Sequence, residues 1–205
     1  IVSAALDEPL WVGRLMDANA ARVTTYLQPE SIYGYPDKYV QSTERHPMNY
    51  VSDLLKEKGL AGGSVGVEME TYYFTAACFT TLLTDLTDAK LKDATGLVNW
   101  QKIIKSPQEI IYERQAAEIV DAMMTAGINA IEPGVRQCDA VAEIYRVMAS
   151  GTPEFGGEYS SFAPMLPTGE GTSTPHLTWT DAPFKTGEAT IIETSGVRKR
   201  YNCPM

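Results

Sequence analysis

Apolar positions in the first hundred residues follow two different periods. Leu10-Trp11-Val12 is a brief apolar run of strand type, and Ser64-Val65-Gly66-Val67-Glu68 alternates with the period of two that a half-buried strand needs. Phe74, Cys78, Leu82 and Leu86 recur every four residues, which lays one apolar face along a helix. A shorter helix is predicted around Tyr50 to Lys58, stopped by Gly59. Tyr33-Gly34-Tyr35-Pro36-Asp37 reads as a turn, because Gly and Pro punctuate it. Together these elements predict a small α/β domain over residues 1–103.

The sharpest local signal comes next. Ser106-Pro107-Gln108-Glu109 is a capping box with Pro at the first helical position. Ile110, Ala117, Val120, Met124 and Ile128 follow at helical spacing, Gly127 is expected to weaken the helix late, and Pro133-Gly134 ends the connection. A second helix is predicted with Cys138, Val141, Tyr145 and Met148 on one side. After Gly151 the glycines and prolines suit strands joined by turns. Ala189 to Glu193 and Val197 to Cys203 are predicted as two strands, turning at Ser195-Gly196. Helices followed by an antiparallel sheet make an α+β domain over 104–205, with Lys105 marking the linker.

The composition narrows the class of function. The chain has 205 residues and a net charge of −9 with no basic stripe, a poor match to nucleic acid or to an anionic membrane. The basic cluster Arg198-Lys199-Arg200 reads as a solvated turn. No apolar run is long enough to span a bilayer and no signal peptide is visible, so the cytoplasm is the expected compartment. The three cysteines are scattered and form no C-x-x-C pair, so neither a disulfide framework nor a zinc site is expected. The chain starts without Met and stops just after a predicted strand, so it is expected to be an interior piece of a longer protein.

The motifs resemble the creatinase/aminopeptidase P superfamily of pita-bread hydrolases. Lys105 to Ile110 with Arg114, Ala116 and Ala117 is similar to that superfamily's linker and first catalytic helix, and Lys185-Thr186-Gly187-Glu188 resembles the turn before its metal strand. Within the superfamily the likeness is greatest to the ectoine hydrolase family. It rests on Leu10-Trp11-Val12-Gly13-Arg14, Asp17-Ala18-Asn19, Gly34-Tyr35-Pro36-Asp37, Tyr39 to Met48, Asp93 to Gln101, Gly151 to Gly157, Pro175 to Trp179 and Arg200 to Pro204. The resemblance puts Glu193 where the metallopeptidases have their first metal-binding Asp, and His176 seventeen residues before it. Eleven residues after Glu193, where those enzymes have a second Asp, stands Pro204, which has no ligand atom. The resemblance therefore implies the metal-free branch, with no cofactor and a homodimer.

What it implies chemically is opening of a cyclic amidine ring, that of ectoine or hydroxyectoine, to an N-acetylated diaminobutyrate. Glu193 is the expected general base or nucleophile and His176 the expected proton shuttle. Trp11, Arg14 and Tyr33 are candidates for a lid over the partner's site, with Arg14 meeting the substrate carboxylate. Phe155 and Trp179 are candidate pocket walls, and Tyr201 and Asn202 candidate pocket residues on the strand after Glu193. Each has a plainer reading. Glu193 on a strand has an alternative outlook onto solvent, His176 one as a surface-loop residue, and the aromatic rings one in the core. For His46 a structural role is preferred, and for Glu68 and Glu70 a solvated face. A prolidase-like metallopeptidase and a catalytically inactive pita-bread binding module are the alternative functions.

Overall fold

Two successive β-α-β turns of chain build the first of two units, Ile1–Ile103 and Ile104–Met205, in a computed structural model that describes residues 1–205. In the first unit, β1 (Trp11–Arg14) pairs in parallel with β2 (Ile32–Tyr35), and α1 (Ala18–Thr24) makes the crossover. Helix α2 (Pro47–Glu57) leads to β3 (Gly63–Val67), which pairs in parallel with β4 (Ala89–Asp93) across α3 (Ala76–Asp85). Parallel neighbours need such a helical crossover, because a tight turn cannot reverse the chain twice. The short α4 (Leu97–Lys102) follows.

The core of this unit is split in two. Ala18, Ala21 and Ile32 are buried under Trp11 and Leu27. Leu55, Val67, Leu82 and Leu86 form the other cluster, so the four-residue apolar repeat does face inward through Leu82 and Leu86. Residues 33–35 are not the expected turn but strand β2. Gly34 is there for close approach: a Cβ on it would lie 2.7 Å from the Leu15 Cα. The chain turns only after Pro36, through a 3-10 segment at Asp37–Tyr39.

The second unit is built on α5 (Pro107–Ala130) and α6 (Gln137–Ser150). The capping box forms as expected. The Ser106 hydroxyl accepts from the Glu109 N–H at 3.3 Å, and the Ser106 N–H donates to Glu109 Oε2 at 2.7 Å. The helical period of α5 is as read, but its phase is shifted. The buried face is Ala116, Ile119, Val120, Met123 and Gly127, whereas Ile128 is 60% exposed. The helix runs on through Gly127 to Ala130, and the glycine admits Ile144 of α6, whose Cδ1 would lie 2.9 Å from a Cβ there. Ile119, Met123, Ala140, Ile144 and Leu166 are fully buried in one cluster, which Phe184 joins.

Against α5 packs an antiparallel hairpin, β5 (Ser195–Arg198) and β6 (Tyr201–Pro204). Its turn is not at Ser195-Gly196 but at Lys199 and Arg200, whose φ angles of 51° and 68° are both left-handed, as a two-residue hairpin loop requires. Gly196 instead marks where β5 crosses α5: a Cβ would sit 2.3 Å from the Ala116 carbonyl oxygen. The expected strand at Ala189 to Glu193 is reduced to bridges, Thr168 with Thr190 and Met165 with Glu193. No helix is long and apolar enough to cross a membrane.

Candidate active site

Glu193 is held by its backbone alone. Its N–H donates to the Met165 carbonyl at 3.0 Å and its carbonyl accepts from the Met165 N–H at 2.8 Å. One residue further on, Thr194 and Met205 exchange both backbone hydrogen bonds, at 3.0 and 2.9 Å. Glu193 therefore sits on the segment that runs into β5, the middle of three chains between 165–168 and the second arm of the hairpin. Ile192 packs into the core, so strand alternation turns Glu193 away from it, on the side of Ile191, which is 47% exposed. The Glu193 carboxylate is half-buried and has no side-chain hydrogen bond or ion pair, so both oxygens are free for a ligand.

His176 lies in an exposed loop after a 3-10 segment at Gly169–Ser173. Its φ of 63° is a left-handed conformation that costs a non-glycine residue about 1 kcal/mol. No hydrogen bond links it to Glu193. A cleft of about 360 Å³ between the 168–171 and 177–188 segments is lined by Leu177, Gln137, Glu170 and Glu188, but by neither His176 nor Glu193.

The other candidates fall into two groups. Tyr201, Phe155 and Trp179 have structural partners within the second unit. The Tyr201 hydroxyl donates to Glu109 Oε1 at 2.9 Å, and its ring lies against Tyr112. The Ser106 N–H, the Ser106 hydroxyl and then Tyr201 hold the Glu109 carboxyl below its usual range, and Glu109 in turn raises Tyr201. Trp179 meets Tyr145 edge to face at 6.1 Å on the margin of the core, and Phe155 lies 5.3 Å from the Arg198 guanidinium. Asn202 is exposed, its amide donating to the Arg200 carbonyl at 3.2 Å.

In the first unit, Trp11 folds over Gly13 and packs beside Ala18, Ala21 and Ile32. Tyr33 has the Lys58 ammonium 5.1 Å from its ring centroid, and its hydroxyl is the main cause raising the Lys58 pKa. Arg14 Nε donates to Asp37 Oδ1 at 2.9 Å, which raises the guanidinium pKa further. Arg14 also lines a cleft of about 360 Å³ with Tyr35, Tyr39, Arg45 and His46. Sequence reading found Glu109 in its capping box but missed its bond to Tyr201, and it did not single out Arg45, which no periodicity marks.

His46 takes a structural role. It is the N-cap of α2: its Nδ1 accepts from the Met48 N–H at 3.1 Å, and its own N–H donates to Asn49 Oδ1 at 2.7 Å. Asn49 then donates to Asp85 of α3 at 2.9 Å.

Residues 112–205 match the Metallopeptidase family M24. The chain is 48% identical to an ectoine hydrolase from Halomonas elongata, over 97% of this chain and 51% of that protein. It is 41% identical to an uncharacterised hydrolase/peptidase from Sinorhizobium fredii, over 100% of this chain and 52% of that protein. Among solved structures, a prolidase from Pyrococcus furiosus superposes with a TM-score of 0.74 at 19% identity, covering 97% of this chain and 55% of that one. An X-Pro aminopeptidase from Thermotoga maritima also gives 0.74, at 16% identity, with 94% and 48% covered. These likenesses give the pita-bread fold, and the chain spans about half the length of the curated relatives it matches.

A metallopeptidase domain implies metal ions, and the donor set can be tested for them. No group of three or more His, Cys, Asp or Glu side chains is placed to hold a metal. From Ala189 to Met205 the sole carboxylate is Glu193, and Pro204 pairs with Ser195 where a second acidic ligand would be needed. The residues of this chain do not by themselves fit a two-metal centre.

Proposed function

Residues 112–205 are a metallopeptidase family M24 sequence, and from that premise we propose that the chain supplies part of a hydrolase that opens the cyclic amidine ring of ectoine or hydroxyectoine without a metal. The 48% identity to an ectoine hydrolase across 97% of the chain carries this reading. Pro204 supports the metal-free chemistry, because it removes a ligand from the strand that follows Glu193.

The protonated amidine carbon, bonded to two nitrogens, is the electrophile. A carboxylate with no other partner suits it twice over: it pairs with the amidinium, and it either takes a proton from the attacking water or attacks directly. Water's oxygen bonds to the carbon, the bond to one ring nitrogen breaks, and that nitrogen gains a proton. The product is an N-acetyl-2,4-diaminobutyrate. Glu193 is the base or nucleophile in this scheme, and His176 carries the proton to the leaving nitrogen. The working enzyme is a homodimer in which Trp11, Arg14 and Tyr33 close over a partner's site.

The test is turnover by the full-length protein, followed as ring opening by NMR. Glu193→Gln is expected to lower kcat/KM by about 10²- to 10⁴-fold, the usual share of a positioned acid or base. Full turnover in that variant removes Glu193 from the chemistry. Stoichiometric metal with chelator-sensitive activity shifts the reading to a prolidase-like peptidase, and a folded protein inert to both ectoines shifts it to a binding module.

A further inference from the structure

We propose that Arg45 joins Arg14 in a carboxylate-binding cleft on the first unit, so that two guanidinium groups rather than one grip the acid group of the substrate. The charge pattern is the starting point. The chain carries a net charge of −9, yet this cleft is lined by Arg14, Arg45 and His46 and by no acidic side chain. The cleft wall thus offers cationic donors to a small anion, while Asp37 and Glu44, which do not line it, offset their formal charge.

The geometry leaves both guanidinium groups available. Arg14 makes its hydrogen bond to Asp37 through Nε, at 2.9 Å, so its two terminal nitrogens have no protein acceptor. Asp37 thus fixes the plane of the fork without filling it. Arg45 contacts Glu44 through one terminal nitrogen at 3.2 Å, and the Glu44 side chain is 77% exposed, so a ligand displaces that contact at little cost. The Tyr35 and Tyr39 rings meet edge to face at 6.4 Å and line the same cleft, giving it an apolar wall beside the two guanidinium groups. Gln41, with a φ of 51°, takes a left-handed turn that a non-glycine residue adopts only under compensation. It lies between Tyr39 and Arg45, where the chain doubles back to the cleft.

The ligand is a monoanion. Asp37 and Glu44 each pair with one of the two arginines and offset its charge, so a singly charged carboxylate brings less excess negative charge into the cleft than a phosphate dianion does. A planar carboxylate also matches the flat donor fork of arginine. The identification of that carboxylate with the acid group of ectoine rests on the function proposed above; the cleft as a carboxylate site does not.

The experiment titrates the isotope-labelled chain with ectoine, acetate, acetamidine and inorganic phosphate, following the Nε–Hε resonances of Arg14 and Arg45. Ectoine and acetate are expected to move both resonances to saturation, acetamidine neither, and phosphate only at higher concentration. Arg45→Gln should weaken carboxylate binding about tenfold or more, the scale of one hydrogen bond to a charged group. Failure of every carboxylate to saturate overturns the proposal, as does tighter binding of phosphate or an Arg45→Gln variant that binds normally. The two readings fail separately. Unchanged kcat/KM for ectoine in full-length Arg45→Gln overturns the grip of Arg45 on the substrate's acid group and leaves the function standing. Acetate binding at both arginines, in a protein inert to ectoine, removes the function and leaves the cleft.

Discussion

The two units keep their shape by different means. In the second, α5 and α6 bury Ile119, Met123 and Ile144 completely, and a hairpin presses glycine-close against α5. In the first, no apolar cluster exceeds four buried residues, and polar contacts fix the local geometry: His46 caps α2, Asn49 joins α2 to Asp85, and Asp37 orients Arg14. A unit held by a continuous core tolerates a free, half-buried carboxylate such as Glu193 at its edge. A unit held by polar links keeps cationic groups at its surface and can present them to a ligand.

Substitution in the two cores should expose the difference most strongly. Ile144→Ala is expected to cost about 4 kcal/mol, because the site is fully closed and cannot collapse around the missing atoms. Ile32→Ala in the first unit should cost about 2 kcal/mol, since its small cluster lies near solvent. Denaturant unfolding followed by amide exchange in each unit measures both, and equal losses would break the contrast.

A smaller effect tests the polar links of the first unit. His46→Ala should cost about 1 kcal/mol by removing the α2 cap, while His46→Asp, which restores an acceptor, should recover most of it. A loss on thermal unfolding that Asp fails to recover would mean that the ring's packing, not its cap, matters.

The smallest effect belongs to Glu109. Its carboxyl is held below the ordinary value of 4.5 in the folded chain. A depressed carboxylate adds stability that is fully present above the unfolded value and is lost as pH falls through the folded one. Acidification from pH 5 downward should therefore lower the unfolding midpoint of the second unit slightly, and Glu109→Gln should flatten that slope. An unchanged slope in the variant would detach the capping box from the acid response.

Elements that depend on local chemistry were legible in the sequence. Ser106 to Glu109 spells its own cap, and the Leu82–Leu86 repeat its own buried face. What misled were the glycines. Gly34 and Gly196 read as turn residues, yet each sits within a strand where another segment comes too close for a side chain. A glycine needed for left-handed backbone and one needed for close approach are identical in sequence, because only the tertiary neighbour tells them apart. The real hairpin turn at Lys199-Arg200 has no glycine at all, and what marked it was the basic cluster read as a solvated turn. The phase of α5 went astray for a related reason: Ile110 and Ile128 are apolar but exposed, and the contact that decides the face is with α6. The site was less legible than the fold. Glu193 and His176 were found by resemblance, and the structure gives Tyr201 and Trp179 packing partners that their spacing does not announce.

The bond from Tyr201 to Glu109 spans 92 positions. As the chain leaves the ribosome, the residues of both parallel strand pairs of the first unit emerge before those of α5. The start of α5 then waits, its cap formed but its side bare, until the hairpin arrives to cover it. Distant partners must meet before they reward each other, so pairing of the hairpin with the start of α5 is expected to be a late step in biogenesis. The helices of the second unit spend that interval with apolar flanks uncovered, and that is where chaperone capture or misassembly would act.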